Sequence, residues 1–238
     1  MVKTYKALSA LLTYPTAELQ AAAPEIRRVL HGEQLLPAPA LGGLDRLTRE
    51  LETGDLYDLQ ERYVMIFDRS RSFSLHLFEH VHGESRDRGQ AMVDLARHYE
   101  AKGFLVDPGE LPDFLPLFLE FLSQLDYQEA HDLLQQPLPI LQALAERLQR
   151  RKVAYVAVFH ALVTIAGGKG QPVPLATTAD DDPDDLEAID RDWEETAVTF
   201  GPGDWGNGDG SADGGACSKS RLATRIRAAV RSVHDRVA

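Results

Sequence analysis

His76-Leu77-Phe78-Glu79-His80 is an H-x-x-E-H pattern. On a helix, this spacing sets two imidazoles one turn apart with a carboxylate beside them, the ligand arrangement of the inverted zinc proteases. Hydrolysis would also need a downstream acidic third ligand and a substrate cleft, and His82 and Glu84 stand close enough to offer alternative ligands. In the simpler reading, these histidines and carboxylates satisfy one another and nearby backbone groups. That reading assigns the chain no catalytic residue, no metal and no cofactor.

Gly83-Glu84-Ser85-Arg86-Asp87-Arg88-Gly89-Gln90 follows at once. Ser85, Arg88 and the amides of a helix start suit an anion, but the spacing of a phosphate loop is missing. As a capped helix, the same residues read as Ser85 at the cap, Asp87 in the first turn, and Gly89 small enough for a second helix to pack closely. The use these residues fit best is peptide recognition. Tyr63, Phe67, Phe73, Leu75 and Phe78 supply apolar pockets, and Asp68, Glu79, Glu84, Asp113 and Glu120 supply negative charge. Arg69, His80 and Arg88 belong to the same surface. Such a surface suits an amphipathic segment bearing Arg or Lys. The alternative for each aromatic ring is a place in the core.

These groups sit in residues 56–95, an elbow between two helices. Leu56, Leu59, Tyr63 and Phe67 keep helical spacing, Asp68-Arg69-Ser70-Arg71 breaks it, and a second helix starts near Ser85. Upstream, residues 3–12 form a short helix ended by Tyr14-Pro15. Thr16 caps the next, in which Pro24 either kinks the helix or opens a new one, and His31-Gly32 is the stop. Leu41, Leu44, Leu47 and Leu51 mark a third helix, capped by Gly54, and Asp55 starts the fourth. Downstream, Met92, Leu95, Ala96 and Tyr99 share a face that Gly103 closes. After the Asp107-Pro108-Gly109 turn, the most apolar helix runs from about Leu111 through Leu115, Phe118, Leu122 and Leu125, which makes it central. Asp113 and Glu120 are its polar members. Residues 128–150, interrupted or kinked at Pro137 and Pro139, and residues 153–166 complete the pattern. With no strand alternation anywhere, the fold class is all-α, an irregular bundle of seven to nine helices.

Composition divides the 238 residues. Residues 1–170 hold the apolar positions and make one globular domain. Residues 171–219, acidic and then Gly-rich, cannot bury enough apolar surface to offset chain entropy and read as a disordered linker. Residues 220–238 set Leu222, Ile226, Val230, Val233 and Val237 on one face among arginines, a basic amphipathic helix. If that tail were the working part, the chain would be a helical adaptor. The formal charge of -12 excludes a nucleic-acid backbone as main partner. The lone Cys217 excludes an internal disulfide and a cysteine-based zinc site within one chain. No apolar run approaches ~20 residues, and the first fifteen residues lack the pattern of a signal peptide, so a cytoplasmic protein without direct membrane insertion is expected.

The run ERYVMIFDRSRSFSLHLFEHVHGESRDRGQAMVDL, the later LPDFLPLFLEFLSQL and the phrase EAIDRDWEETAVTFGPGD resemble the nitrate reductase molybdenum cofactor assembly chaperones. These belong to the redox-enzyme maturation chaperones, and the resemblance extends to about Asp204. It implies an all-helical, cytoplasmic, non-enzymatic protein, taken as a monomer. Its partner would be the apo catalytic α subunit of respiratory nitrate reductase. The chaperone would bind that subunit's N-terminal segment and keep it competent for molybdenum cofactor and iron–sulfur cluster insertion before membrane docking. The segment resembles a vestigial twin-arginine signal, amphipathic and basic, so protonation of a histidine or carboxylate in the groove would weaken the hold on it. In the wider family an acidic residue followed by histidine opens the central helix and is associated with signal-peptide binding. Asp113-Phe114 stands at that place, with the acid retained and the histidine absent.

Overall fold

Capping side chains set the first helix boundaries. In the computed structural model, which describes residues 2–82 and 86–168 (Arg86 by its backbone alone), α1 spans Lys3–Leu11 and Thr16 opens α2, Ala17–Gly32, by accepting from the Leu19 amide at 3.2 Å. Asp55 opens α4, Leu56–Tyr63, by accepting from the amides of Tyr57 and Asp58. Both residues do what their types dictate at an N-terminus, satisfying amides that have no partner within the helix. Helix α2 runs through Pro24 without a break. Between these helices lies α3, Ala38–Thr53, whose Leu44, Leu47 and Leu51 are buried as their spacing requires. Gly54 ends it, but by closeness rather than by a left-handed turn. Its φ is −73°, and a Cβ there would stand 2.7 Å from the Glu50 carbonyl oxygen.

After the elbow, α5 (Glu79–His82) leads to α6 (Arg86–Ala101). Gly103, at φ +83°, closes α6 with the Phe104 amide donating back to the Tyr99 carbonyl at 3.0 Å. Gly89 does not serve close packing as expected, because a Cβ added there meets nothing within 4 Å. The central helix α7, Leu115–Gln124, begins four residues later than its apolar pattern predicts. Pro112 disfavours helical backbone at Leu111, and Pro116 fits the first turn, where no amide is needed. Leu115, Leu119 and Leu122 are wholly buried, which makes α7 the axis of the core.

Helix α1 lies antiparallel along α7. The Val2 amide donates to the Ser123 carbonyl at 2.9 Å at one end, and Ser9 Oγ donates to the Pro116 carbonyl at 2.7 Å at the other. Helices α2 and α3 pack as a pair, while α9 (Leu138–Arg150) pairs with α10 (Val156–Ile165), which also packs on α3. Pro137 separates α8, Tyr127–Leu134, from α9 outright rather than kinking one helix. The described residues therefore hold ten α-helices where seven to nine were expected, and no strand. Among the described residues, the one extended contact is an antiparallel bridge between His76 and Phe114. No described helix is long and apolar enough to cross a membrane. Glu84, Ser85, the acidic and Gly-rich blocks and the basic C-terminal segment lie outside the described residues.

Candidate functional site

The elbow is built by a change of helical pitch. Helix α4 passes into one π-helical turn, Val64–Asp68, and Ser70 then caps a 3-10 turn, Arg71–Phe73, by accepting from the Ser72 amide. Single π turns of this kind recur at functional sites because the extra residue re-aims the chain. Residues 74–76 then run against the residues that open α7, and Leu77-Phe78 turn into α5. The Leu115 amide donates to the Leu75 carbonyl at 2.8 Å, and the Leu77 amide to the Asp113 carbonyl at 3.1 Å.

Asp113 completes the junction with its side chain. Its Oδ2 accepts from the Phe78 amide at 2.9 Å, and its Oδ1 lies 3.3 Å from His76 Nδ1. The carboxylate is 0% exposed. It is a latch that fastens the elbow to α7 and cannot offer its charge to a peptide, contrary to the expectation for this residue. A buried carboxylate persists only where hydrogen bonds replace its water, and the amide and the imidazole do so. Phe114, half-buried, stacks on His76 with ring centroids 5.2 Å apart. The latch therefore positions these two rings at the surface.

The H-x-x-E-H imidazoles are not one turn apart on a helix. His76 is extended and turned to Asp113, whereas His80 lies in α5 with Nε2 2.8 Å from the Ser74 carbonyl oxygen. Among the described residues, no three or more His, Cys, Asp or Glu side chains gather to hold a metal. Burial holds the His80 imidazole below its ordinary value of 6.5, and the Arg147 charge pushes the same way. The Ser74 carbonyl, Glu79 and Asp113 pull against them.

Tyr63, Phe67, Leu75 and Phe78, expected as walls of a peptide pocket, are core residues. Tyr63 donates its hydroxyl to the Leu12 carbonyl at 2.9 Å and packs with Tyr14, Phe67 and Tyr155, tying α1 and α4 to the approach to α10. Phe73 is buried beneath the Arg151 guanidinium, 4.2 Å from the ring centre. Asp68 and Arg69 are exposed at the end of the π turn. Glu79 and Arg88 are half-buried and paired at 3.1 Å. Glu120 pairs with Lys6 on the α1–α7 seam, away from the elbow, because it sits almost two turns along α7 from Asp113.

Two features escaped the sequence reading. Arg147 is buried in α9 and donates to the Ser72 carbonyl at 2.9 Å, holding the far side of the elbow. Its signal was phase: it falls three residues after Leu144 and seven after Ile140, on the helix's buried face. The other is the loop between α6 and α7. Leu105 is 86% exposed, Leu111 45% and Phe104 36%, and Glu100, Asp107 and Glu110 in the same stretch are exposed too. Runs of apolar residues at such exposure mark contact surfaces, and this one leads directly into Pro112, Asp113 and Phe114.

The model of the nitrate reductase delta subunit family matches residues 15–161. The chain belongs to this family. The match takes in the elbow, the latch, the exposed loop and Arg147. The chain is 44% identical to the nitrate reductase molybdenum cofactor assembly chaperone NarJ of Escherichia coli (strain K12) over 195 residues, 81% of this chain and 83% of that protein. It is also 44% identical to the Probable nitrate reductase molybdenum cofactor assembly chaperone NarW of the same strain, over 66% of this chain and 69% of that one. The Probable NarJ chaperone of Bacillus subtilis (strain 168) is 32% identical over 165 residues, 67% of this chain and 86% of that protein.

Proposed function

We propose that this chain is a cytoplasmic, non-enzymatic chaperone of nitrate reductase assembly. It binds the N-terminal segment of the apo catalytic α subunit and keeps that subunit open for molybdenum cofactor and iron–sulfur insertion before membrane docking. Family membership and the names of the relatives support the maturation role. One observation carries the finer reading: the α6–α7 loop exposes Phe104, Leu105 and Leu111 together with Glu100, Asp107 and Glu110 in a stretch that ends at Phe114. An amphipathic basic helix presents the matching surface, with apolar side chains for the leucines and cations for the carboxylates. Asp113 acts there as a positioning residue, since its carboxylate is enclosed. Asp68, exposed at the π turn, and Glu84 are proposed to add acidic groups to the recognition surface.

The test is calorimetric titration of the whole protein with a peptide from the N-terminus of a nitrate reductase α subunit, at low and moderate salt. Binding should weaken with salt. Leu105→Asp and Glu110→Lys should each lower affinity about tenfold, roughly 1.4 kcal/mol, with helical circular dichroism unchanged, and Asp68→Arg should act in the same direction. Parent-like affinity in both loop variants would move the peptide elsewhere on the molecule.

A further inference from the structure

At the opposite end of α7 from Asp113, α1 and α2 enclose a groove of about 310 Å³. Ala7, Ala10 and Ala22 are small and leave room above a floor of Ile26 and Val29. Lys3, Lys6 and Glu25 stand at its rim. Glu25 is already paired with Arg28, and Glu33 commits both carboxylate oxygens to the amides of Lys3 and Thr4. Lys3 makes no ion pair among the described residues, although its charge acts on the neighbouring Glu33 carboxylate, and Lys6 is paired with Glu120. Of the charged residues that line the groove, two are cations and one is an anion. Ala22 is exposed although it lines the groove, so the apolar trough opens to the surface.

The chain itself contains a segment of the complementary chemistry. Leu186, Ile189, Trp193 and Ala197 recur at i, i+3, i+7 and i+11, the spacing of one helix face. Around them, residues 180–195 carry ten carboxylates against the single Arg191. The eighteen residues from Gly168 to Leu186 reach up to about 60 Å when extended, and a domain of this size has a radius of gyration of about 15 Å. The tether is thus long enough to bring the segment to any face. The basic stretch 220–238 fits this groove less well, because its arginines would meet Lys3 and Lys6.

We propose that residues 185–198 dock in cis across α1 and α2, with Trp193 seated in the groove and the flanking carboxylates facing Lys3 and Lys6. The juxtaposition is stabilised by apolar burial and oriented by charge, and high salt loosens it without abolishing it.

Trp193 and Trp205 are the two tryptophans of the chain, and both lie beyond Gly168, so tryptophan fluorescence reads this segment without background from the helical domain. In the full chain carrying Trp205→Phe, Trp193 should emit at a blue-shifted wavelength. Acrylamide should quench it at least threefold less than it quenches a free peptide of residues 185–198. Ala22→Glu, at an exposed groove position, and the double variant Lys3→Glu/Lys6→Glu should each restore solvated emission and peptide-like quenching, with circular dichroism unchanged. The double variant alters only exposed side chains, so it decides the matter even if Ala22→Glu fails to fold. Solvated emission in the Trp205→Phe chain, or protection that survives the double variant, would overturn the proposal. Protection that disappears on dilution, together with a falling sedimentation coefficient, would overturn docking in cis in favour of a second copy.

Discussion

Asp113 shows how one side chain can matter to a site without touching what binds there. Its two oxygens hold the Phe78 amide and the His76 ring, and these contacts fix where Phe114 and His76 meet solvent. Removing the carboxylate leaves a buried amide unpaired, and such an orphan costs far more than the net worth of a hydrogen bond. Asp113→Ala should therefore destabilise the fold by about 2–4 kcal/mol. Asp113→Asn, which keeps an acceptor of the same shape, should cost less than half of that. Urea unfolding followed by circular dichroism checks both, and equal stability of the two variants would show that the Phe78 amide finds another partner.

At the scale of the element, glycines with the same freedom do different work. Gly54 ends α3 where the chain turns close to the Glu50 carbonyl and Leu59, so Gly54→Ala forces a Cβ to within 2.7 Å of a backbone oxygen. A loss of about 1–3 kcal/mol is expected from such overpacking. Gly89 lies inside α6 facing open space. Gly89→Ala should stabilise by about 0.5–1 kcal/mol, because alanine loses less backbone entropy on entering a helix. Thermal midpoints of the two variants should move in opposite directions. A downward shift for Gly89→Ala would mean that its surface is already packed against something in solution. The π turn belongs to this scale too: it redirects α4 so that residues 74–76 run along the start of α7 instead of continuing a helix past it.

At the scale of the whole molecule, burial disfavours protonation of two imidazoles among the described residues. Burial holds both His80 and His98 below the ordinary 6.5. His98 is buried, with Nε2 unpartnered among the described residues. Because each folded value lies below the unfolded one, the unfolded chain binds more protons once the pH falls under about 6.5. The stability these groups contribute is thus complete above that value and is lost as the pH falls toward their folded values. The urea midpoint should drop between pH 7.5 and 5.5, and His98→Gln should flatten the slope. An unchanged slope in His98→Gln would assign the pH dependence to other groups.

The helices were legible in the sequence because their signals are local. Thr16 and Asp55 cap by their own hydroxyl and carboxylate, Gly103 turns the chain by its lack of a Cβ, and three-to-four spacing marks the buried faces of α1, α3 and α7. Family resemblance, too, is a property of the residue string, and the matched region bears it out. The candidate site was less legible, since its residues could be named but not assigned to the interior or the surface. Tyr63, Phe67, Leu75 and Phe78 belong to the core, Asp113 is enclosed, and Glu120 faces α1, while the exposed leucines of the α6–α7 loop went unnoticed. Periodicity places a residue on a face of its own helix, but which face is buried depends on segments far away in the chain. His76 meets Asp113 across 37 positions and Arg147 meets Ser72 across 75. The local sequence therefore determined the helices and the family, whereas only long-range packing decided which charges stayed in solvent and which became the fastenings of the fold.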